Sequence, residues 1–321
     1  MFPSKRRIAV TTPYFDFFPE LKAELARRYP NARFRTERHR LAEDQFIEFA
    51  EGCEAAIIGI ENLSDRVFSN LPDLKVLSLC SAGVDHIDPD LLNKHGIRMW
   101  WAAGVNKTSV AELTVSYMIL GLRRVHEFAS TLRRGEWKGP VGFGADLRGK
   151  TVGIHGLGHI GKEVAKLLQP FGVQLIACDK VDISEFCSEW HVESVGAEEL
   201  WARSDVLTIH LPRNARTIGM YSADVLAKLK PGSVLVNCAR GGIVDEKALD
   251  YRLQSGALSA AAFDVMAVEP ANHNPLLELP TFFCSPHIGA TTRESWHAML
   301  TSGMEGLEKP WKAETGVYPF D

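Results

Sequence analysis

The chain of 321 residues contains no apolar stretch long enough to cross a bilayer. Lys5, Arg6 and Arg7 are followed only by the brief apolar run Ile8–Val10, which is too short for the core of a secretory signal. Neither sign of charge dominates. With 36 Lys and Arg against 40 Asp and Glu, the formal net charge is -4, which gives no electrostatic reason to expect a polyanionic partner. The one basic run, Arg33, Arg35, Arg38 and Arg40, is interrupted by Glu37 and reads as a solvated surface. The six cysteines (Cys53, Cys80, Cys178, Cys187, Cys238 and Cys284) show no C-x-x-C spacing, and most lie in apolar runs where free thiols pack as small hydrophobes. Repeats and low-complexity tracts are also lacking. A cytoplasmic protein is expected, with neither a nucleic-acid nor a membrane partner.

What is present is a globular composition, 45% apolar and 24% charged, on a chain longer than one hydrophobic core usually serves. Two domains are the expectation. Short apolar runs alternate with segments of helical period: 7–12, 32–35, 55–60, 75–80 and 97–102 read as strands, and 18–29 and 89–95 as helices, the latter stopped by Gly96. That alternation predicts a parallel α/β sheet closing near residue 102. A single long amphipathic helix is expected over 108–134, with Ala111, Val115, Met118, Ile119 and Leu122 on one face. After the loop 135–149 a second α/β series begins, with strand runs 151–155, 174–178, 205–211, 233–239, 260–265 and 281–285. In it, Asp245 is placed to cap a helix over 246–254, with Gly256 past its end.

The run Thr151–His155 leads into Gly156-Leu-Gly158-His-Ile-Gly161 and then a helical segment over 162–171. A lone G-x-G-x-x-G is a weak signal. Here a strand precedes it, a helix follows it, and Asp179 ends the next strand run, which together predict a dinucleotide site. Gly156 would permit the turn, Gly158 the approach of a pyrophosphate, and Gly161 close packing of helix on sheet. Asp179 would accept from the adenosine ribose hydroxyls and repel a 2′-phosphate, so NAD is favoured over NADP, a preference tempered by Lys180. His155 and His159 straddle the turn with no third ligand near, so no metal is expected.

Ligands in open α/β sheets bind outside the carboxyl ends of the strands. Three polar residues follow successive strand runs: Arg240, Glu269 and His287. Singly, each reads as a loop or surface residue. Jointly, beside a nucleotide fingerprint, they suit oxidation of a hydroxy acid. His287 would be the acid/base and Glu269 its partner, while Arg240 would clamp the carboxylate and polarise the carbonyl.

These stretches, with 236–246, 263–270 and 285–291, resemble the D-isomer specific 2-hydroxyacid dehydrogenase family over nearly the whole chain, in particular its D-3-phosphoglycerate dehydrogenase-like members without a C-terminal regulatory domain. The resemblance implies an α/β fold of two doubly wound parallel-sheet domains. These are a Rossmann NAD-binding domain (103–287) and a smaller, discontinuous flavodoxin-like substrate domain (1–102 plus 288–321), with the active site in the cleft between them. It puts the family's Arg, Glu and His on Arg240, Glu269 and His287, and a small anionic substrate against Ser81, Ala82, Gly83 and Asn106. Cofactor contact falls to His159, Ile160, His210, Pro212, Thr217, Cys238, Ala239 and Asp264, besides Gly156, Gly158, Gly161 and Asp179. A homodimer, with the long helix at its interface, is also implied. Where phosphoglycerate-type members carry an Arg that can meet a phosphate, this chain has Glu61-Asn62, which weakens that substrate reading. Lys107, Trp137 and Lys138 lie where they could shape the pocket, with surface or packing roles as the plainer reading. The implied reaction is reversible hydride transfer between NAD(H) and a D-2-hydroxy acid or its 2-oxo acid. The alternatives are a phosphonate- or phosphite-type hydride donor and a non-catalytic, NAD-sensing corepressor-like protein.

Overall fold

Short strands pair with one another in parallel, and they form two separate sheets in the computed structural model, which describes residues 5–137, 139 and 141–320. Strands buried on both faces read as unbroken apolar runs rather than alternating ones, as Ile8–Val10, Ala55–Ile58 and Ala260–Phe263 do. The chain divides into two units, Met1–Asn106 with Thr292–Asp321, and Lys107–Thr291. The crossings, expected near residues 103 and 288, fall after Asn106, where the helix Lys107–Leu122 begins, and after Thr291, ahead of the helix Arg293–Gly306.

The first unit holds β1 (Ile8–Val10), β2 (Arg33–Phe34), β3 (Ala55–Ile58), β4 (Val76–Leu79) and β5 (Arg98–Trp100), in the order β2-β1-β3-β4-β5. That is the flavodoxin-like order. One face buries Phe46, Val67 and Leu77, and the other Phe15, Leu25 and Leu300. The last of these belongs to the helix Arg293–Gly306, which lies over β4, where Ser78 Oγ donates to Gly303 O at 2.7 Å. Asp88 caps the helix Pro89–Lys94 by accepting from the Asp90 and Leu91 N–H groups, and Gly96, at φ 67°, ends that turn.

The second unit holds β6 (Thr151–His155), β7 (Gln174–Cys178), β8 (Val192–Ser194), β9 (Val206–Ile209), β10 (Val234–Asn237), β11 (Ala260–Phe263) and β12 (Phe282–Cys284). Their order is β12-β11-β10-β9-β6-β7-β8, all parallel. The winding reverses between β6 and β9, a topological switch point of the dinucleotide-binding kind. The cap at Asp245 forms as expected, accepting from the N–H groups of Lys247 and Ala248 at 3.0 and 3.1 Å.

The single helix expected over 108–134 is two helices, Lys107–Leu122 and Val125–Arg133. Arg124 breaks it in the left-handed region at φ 53°. Its guanidinium is paired with Glu127 through both nitrogens at 2.7 and 2.6 Å and also reaches Val141 O, so the turn is held by side-chain bonds that hydrophobic period cannot reveal. The first helix buries one face, which includes the expected Ala111, Val115, Met118 and Leu122, while Thr108, Glu112 and Ser116 are exposed. Gly121 on that face lies so close to Val234 that a Cβ would be 2.6 Å from that side chain.

Candidate active site

The glycine turn sits at the carboxyl end of β6, and its three glycines meet different constraints. Gly156 has φ 96°, and a Cβ there would lie 2.6 Å from His210 O, so both conformation and space require glycine. At Gly161 a Cβ would lie 2.1 Å from Gly156 O, so a bare Cα lets the helix His159–Leu168 dock onto the turn. Gly158 is different: φ is −75° and nothing lies within 4 Å of the added atom. The protein itself does not demand glycine there. A side chain there would enter open space in front of helix N–H groups that lack intrahelical acceptors, a place suited to an anion.

Other residues around the turn agree with a nucleotide cradle. Asp179 follows β7 and accepts from Leu157 N at 2.6 Å and Val181 N at 3.2 Å, which fixes its carboxylate beside the turn. His210 follows β9; its Nε2 pairs with Thr208 Oγ1 at 3.0 Å, while Nδ1 is buried without a hydrogen-bond partner among the described residues. Burial pushes the His210 imidazole down to about 3, so the ring is neutral and can donate or accept toward a ligand. Thr217 Oγ1 donates to Pro212 O at 2.6 Å and closes the loop after His210. His159 is exposed at the helix start and Ile160 half-buried behind it. The His159 imidazole is lowered by partial burial and then by the charges of Lys107 and Lys162, while Lys107 itself pairs with Glu163 at 3.5 Å. His155, by contrast, is buried, with Nδ1 against the Tyr221 hydroxyl at 2.7 Å. Among the described residues no group of three His, Cys, Asp or Glu is arranged to hold a metal.

Arg240, Glu269 and His287 follow three adjacent strands, β10, β11 and β12. His287 Nδ1 meets Glu269 Oε2 at 2.8 Å, and the other Glu269 oxygen accepts from Met266 N at 3.1 Å. That hydrogen bond, opposed by burial and supported by the charges of Glu269 and Asp264, raises the imidazole above its ordinary value. Burial works against the Glu269 charge, but His287, Met266 N and Arg240 outweigh it and hold the carboxyl below its usual range. Arg240 is half-buried, and its charge acts on both partners; Nη1 donates to Ala239 O at 2.8 Å. Asn237 shapes its turn, donating to Arg240 O and accepting from Ala239 N, each at 3.0 Å. Next to it, Gly241 packs against Met266 so tightly that a Cβ would lie 1.8 Å from Met266 O. Cys238 and Ala239 are buried beneath this turn.

In the first unit, the N–H groups of Ala82 and Gly83 donate to nothing among the described residues, while Ser81 Oγ donates to Gly83 O at 2.9 Å and Trp101 Nε1 to Ala82 O at 2.9 Å. Asn106 Oδ1 is buried with no hydrogen-bond partner among the described residues. Glu61 turns inward, accepting from Gly59 N at 2.7 Å and from Thr11 Oγ1, and Asn62 accepts from Arg40 at 2.7 Å. Trp137 is 81% exposed, and Lys138 lies outside the described residues. Two residues that sequence reasoning passed over, Met266 and Asn237, act through backbone or turn geometry that residue type does not announce.

The family model described as D-isomer specific 2-hydroxyacid dehydrogenase, NAD binding domain, matches residues 115–289. The chain belongs to this family. Among 2-hydroxyacid dehydrogenases, it is 35% identical over 276 residues to a D-3-phosphoglycerate dehydrogenase of Methanocaldococcus jannaschii, covering 85% of this chain and 53% of that protein. It is 34% identical over 260 residues to the human D-3-phosphoglycerate dehydrogenase, covering 81% and 49%. The chain thus spans about half the length of the curated relatives it matches. A glyoxylate reductase from Paecilomyes thermophila superposes with a TM-score of 0.84 at 28% identity over 95% of each chain. The holo D-mandelate dehydrogenase of Rhodotorula graminis gives 0.85 at 25% identity, over 96% of this chain and 94% of that one. The glycine turn and the loops bearing Arg240, Glu269 and His287 all lie within the matched NAD binding domain.

Proposed function

We propose that the chain catalyses reversible hydride transfer between NAD(H) and a D-2-hydroxy acid or the corresponding 2-oxo acid. The observation that carries this reading is the His287–Glu269 pair, 2.8 Å apart, within the field of the Arg240 guanidinium. When bound at Gly156–Gly161, the nicotinamide cofactor supplies a carbon that accepts or gives a hydride. His287 takes the hydroxyl proton during oxidation and returns it to the carbonyl oxygen during reduction. Glu269, bonded to Nδ1, leaves Nε2 as the atom that exchanges the proton and favours the imidazolium. Arg240 offers a planar fork of donors to the substrate carboxylate and draws charge toward the carbonyl oxygen. The N–H groups of Ala82 and Gly83, with Ser81 and Asn106, are the first unit's donors for an anionic substrate, and Asp179 is assigned to the adenosine ribose.

A panel of 2-oxo acids, phosphonates and dicarboxylates with NADH, followed by cofactor absorbance, tests the assignment. At least one 2-oxo acid is expected to be turned over, and His287→Ala to lower that turnover by about 10²–10⁴-fold while NADH still binds. Binding of NADH without turnover across the panel would favour a cofactor-sensing role instead. A homodimer is part of the reading and is supported by exposed Val125, Leu132, Trp137 and Phe143 on and after the helix Val125–Arg133. Light scattering of the wild type and of a Leu132→Asp, Phe143→Asp variant distinguishes dimer from monomer. A cytoplasmic setting fits six cysteines that are all free thiols.

A further inference from the structure

Beneath His287 lies a chain of buried hydroxyls that the acid/base reading does not use. Tyr117, on the helix Lys107–Leu122, is buried and donates to Ser285 Oγ. Ser285 donates in turn to Asp264 Oδ1. Asp264 is 1% exposed, and its carboxylate also accepts from Ile288 N and Gly289 N, each at 2.7 Å. Its backbone carbonyl accepts from His287 N at 2.8 Å. The segment 285–289 is therefore wrapped around one buried carboxylate. His287 sits within that segment in the left-handed region, at φ 55°, where a non-glycine residue persists only when its surroundings hold it.

We infer that Tyr117 and Ser285 are positioning residues for His287, acting as a hydrogen-bond chain that fixes Asp264 as the acceptor around which the strained His287 turn is built. The direction of the chain matters. A serine hydroxyl has one proton, and with Tyr117 occupying a lone pair of Ser285 Oγ, that proton is directed to Asp264. Burial holds Asp264 above its ordinary value, and donation from Ser285, Ile288 and Gly289 offsets part of that in favour of the carboxylate. Without the Tyr117 hydroxyl, Ser285 can rotate toward other acceptors, and the donors of the turn lose part of the charge that orders them. The inference rests on the proposed acid/base role of His287 only for its kinetic consequence; the ordering of the turn stands apart from it.

Two variants remove the chain with little change of shape. Tyr117→Phe keeps the ring, including its edge-on packing against Phe283 at 5.3 Å, and Ser285→Ala removes the central hydroxyl. Amide hydrogen exchange is measured at Ile288 and Gly289 in the ligand-free full chain, with Val152 and Ile154 of β6 as fold controls. Loss of one net hydrogen bond predicts about five-fold faster exchange at both loop amides in either variant, with the β6 amides unchanged. The double variant exchanges no faster than Ser285→Ala, and Ser285→Thr, which keeps the hydroxyl, restores the wild-type rate. In steady-state assays kcat falls while KM for NADH stays within about two-fold, the split expected when a proton-transfer group is misaimed. Loop exchange within about two-fold of wild type in Tyr117→Phe, whose ring keeps the fold, overturns the inference. If the wild type turns over no 2-oxo acid, the functional reading fails, and the exchange experiment still decides this one.

Discussion

Replacing Gly158 and Gly161 separately by alanine tests whether the turn after β6 is shaped for its own fold or for a ligand. At Gly158 the backbone, φ −75° and ψ −156°, is open to any residue, and the new Cβ would meet nothing within 4 Å. This residue is the helix N-cap, where alanine in place of glycine costs about 1 kcal/mol, and the reduced freedom of the unfolded chain offsets about 0.4–1 kcal/mol of that. The net change is a few tenths, and since about 1 kcal/mol moves the melting point of a unit this size by about 2–4 °C, Tm should stay within about 2 °C of wild type. At Gly161 helix propensity alone would have alanine stabilise by about 1 kcal/mol. A Cβ 2.1 Å from Gly156 O forbids that gain unless turn or helix moves by nearly an ångström, and overpacking of this kind costs about 1–3 kcal/mol. Packing outweighs propensity, and Tm should fall by about 4 °C. The assay pairs thermal unfolding with NADH titration followed by fluorescence. Gly158→Ala is expected to melt normally yet bind NADH at least about tenfold more weakly, a change of about 1.4 kcal/mol. If it binds NADH as the wild type does, the close approach of a pyrophosphate is refuted; if Gly161→Ala melts at or above the wild-type temperature, the packing argument is.

Glu269→Gln weakens the hydrogen bond that chiefly raises His287 and removes the charge behind it, so the decline of 2-oxo acid reduction with rising pH, set by loss of the imidazolium, should move to lower pH; an unmoved limb in the pH–kcat/KM profile would count against the pairing. The same pair contributes to stability in a defined window. A His raised above 6.5 stabilises below that pH and loses its contribution as pH rises through the folded value, whereas a Glu lowered below 4.5 stabilises above that pH and loses its contribution on acidification. The two contributions overlap fully between pH 4.5 and 6.5. With side chains 49% and 39% exposed, solvent screening limits the effect to less than about 1 kcal/mol, so the urea midpoints of wild type and His287→Ala should differ most near pH 5.5 and converge by pH 9. Asp179→Ala should relax discrimination against NADPH, read as the ratio of kcat/KM for the two cofactors. Gly241→Ala should separate the Arg240 turn from Met266 by about 1.2 Å, enough to lower kcat by about 100-fold while NADH still binds; wild-type turnover would show that the close approach does not set the site.

What the sequence made legible was local. β6 and β7 have the bounds that their apolar runs announce, because a buried parallel strand ends where water or a turn begins, and Asp245 caps its helix because the cap lies within three residues of its donors. β8 gave no such signal: it is three residues long at the sheet edge, with two of the three exposed. The break at Arg124 was hidden because the apolar period runs on through it, and what stops the helix is an Arg–Glu pair and a carbonyl 17 residues away. Glu61 stands where phosphoglycerate-type members carry an Arg, and the commitment of its carboxylate to Thr11 and Gly59 has no sequence pattern either. The Tyr117–Ser285 bond joins residues 168 apart and has no sequence pattern at all.

The placement of Arg240, Glu269 and His287 follows from adjacency in the sheet more than from any single loop. Arg240, Glu269 and His287 leave β10, β11 and β12, strands that are parallel neighbours and therefore deliver their carboxyl ends side by side, about 4.8 Å apart. That spacing alone would let each loop wander. It is the cross-ties that remove the freedom: Gly241 against the Met266 backbone, Met266 N on Glu269, Glu269 on His287, and Asp264 gathering the amides after His287. Each tie joins one strand end to the next or closes a loop on its own strand, so a displacement at Arg240 is transmitted to Glu269 and then to His287. The bonds that hold the three groups in register mostly run from backbone N–H groups to carboxylates, which explains how small residues such as Gly241 and Ser285 can govern the placement of an Arg, a Glu and a His.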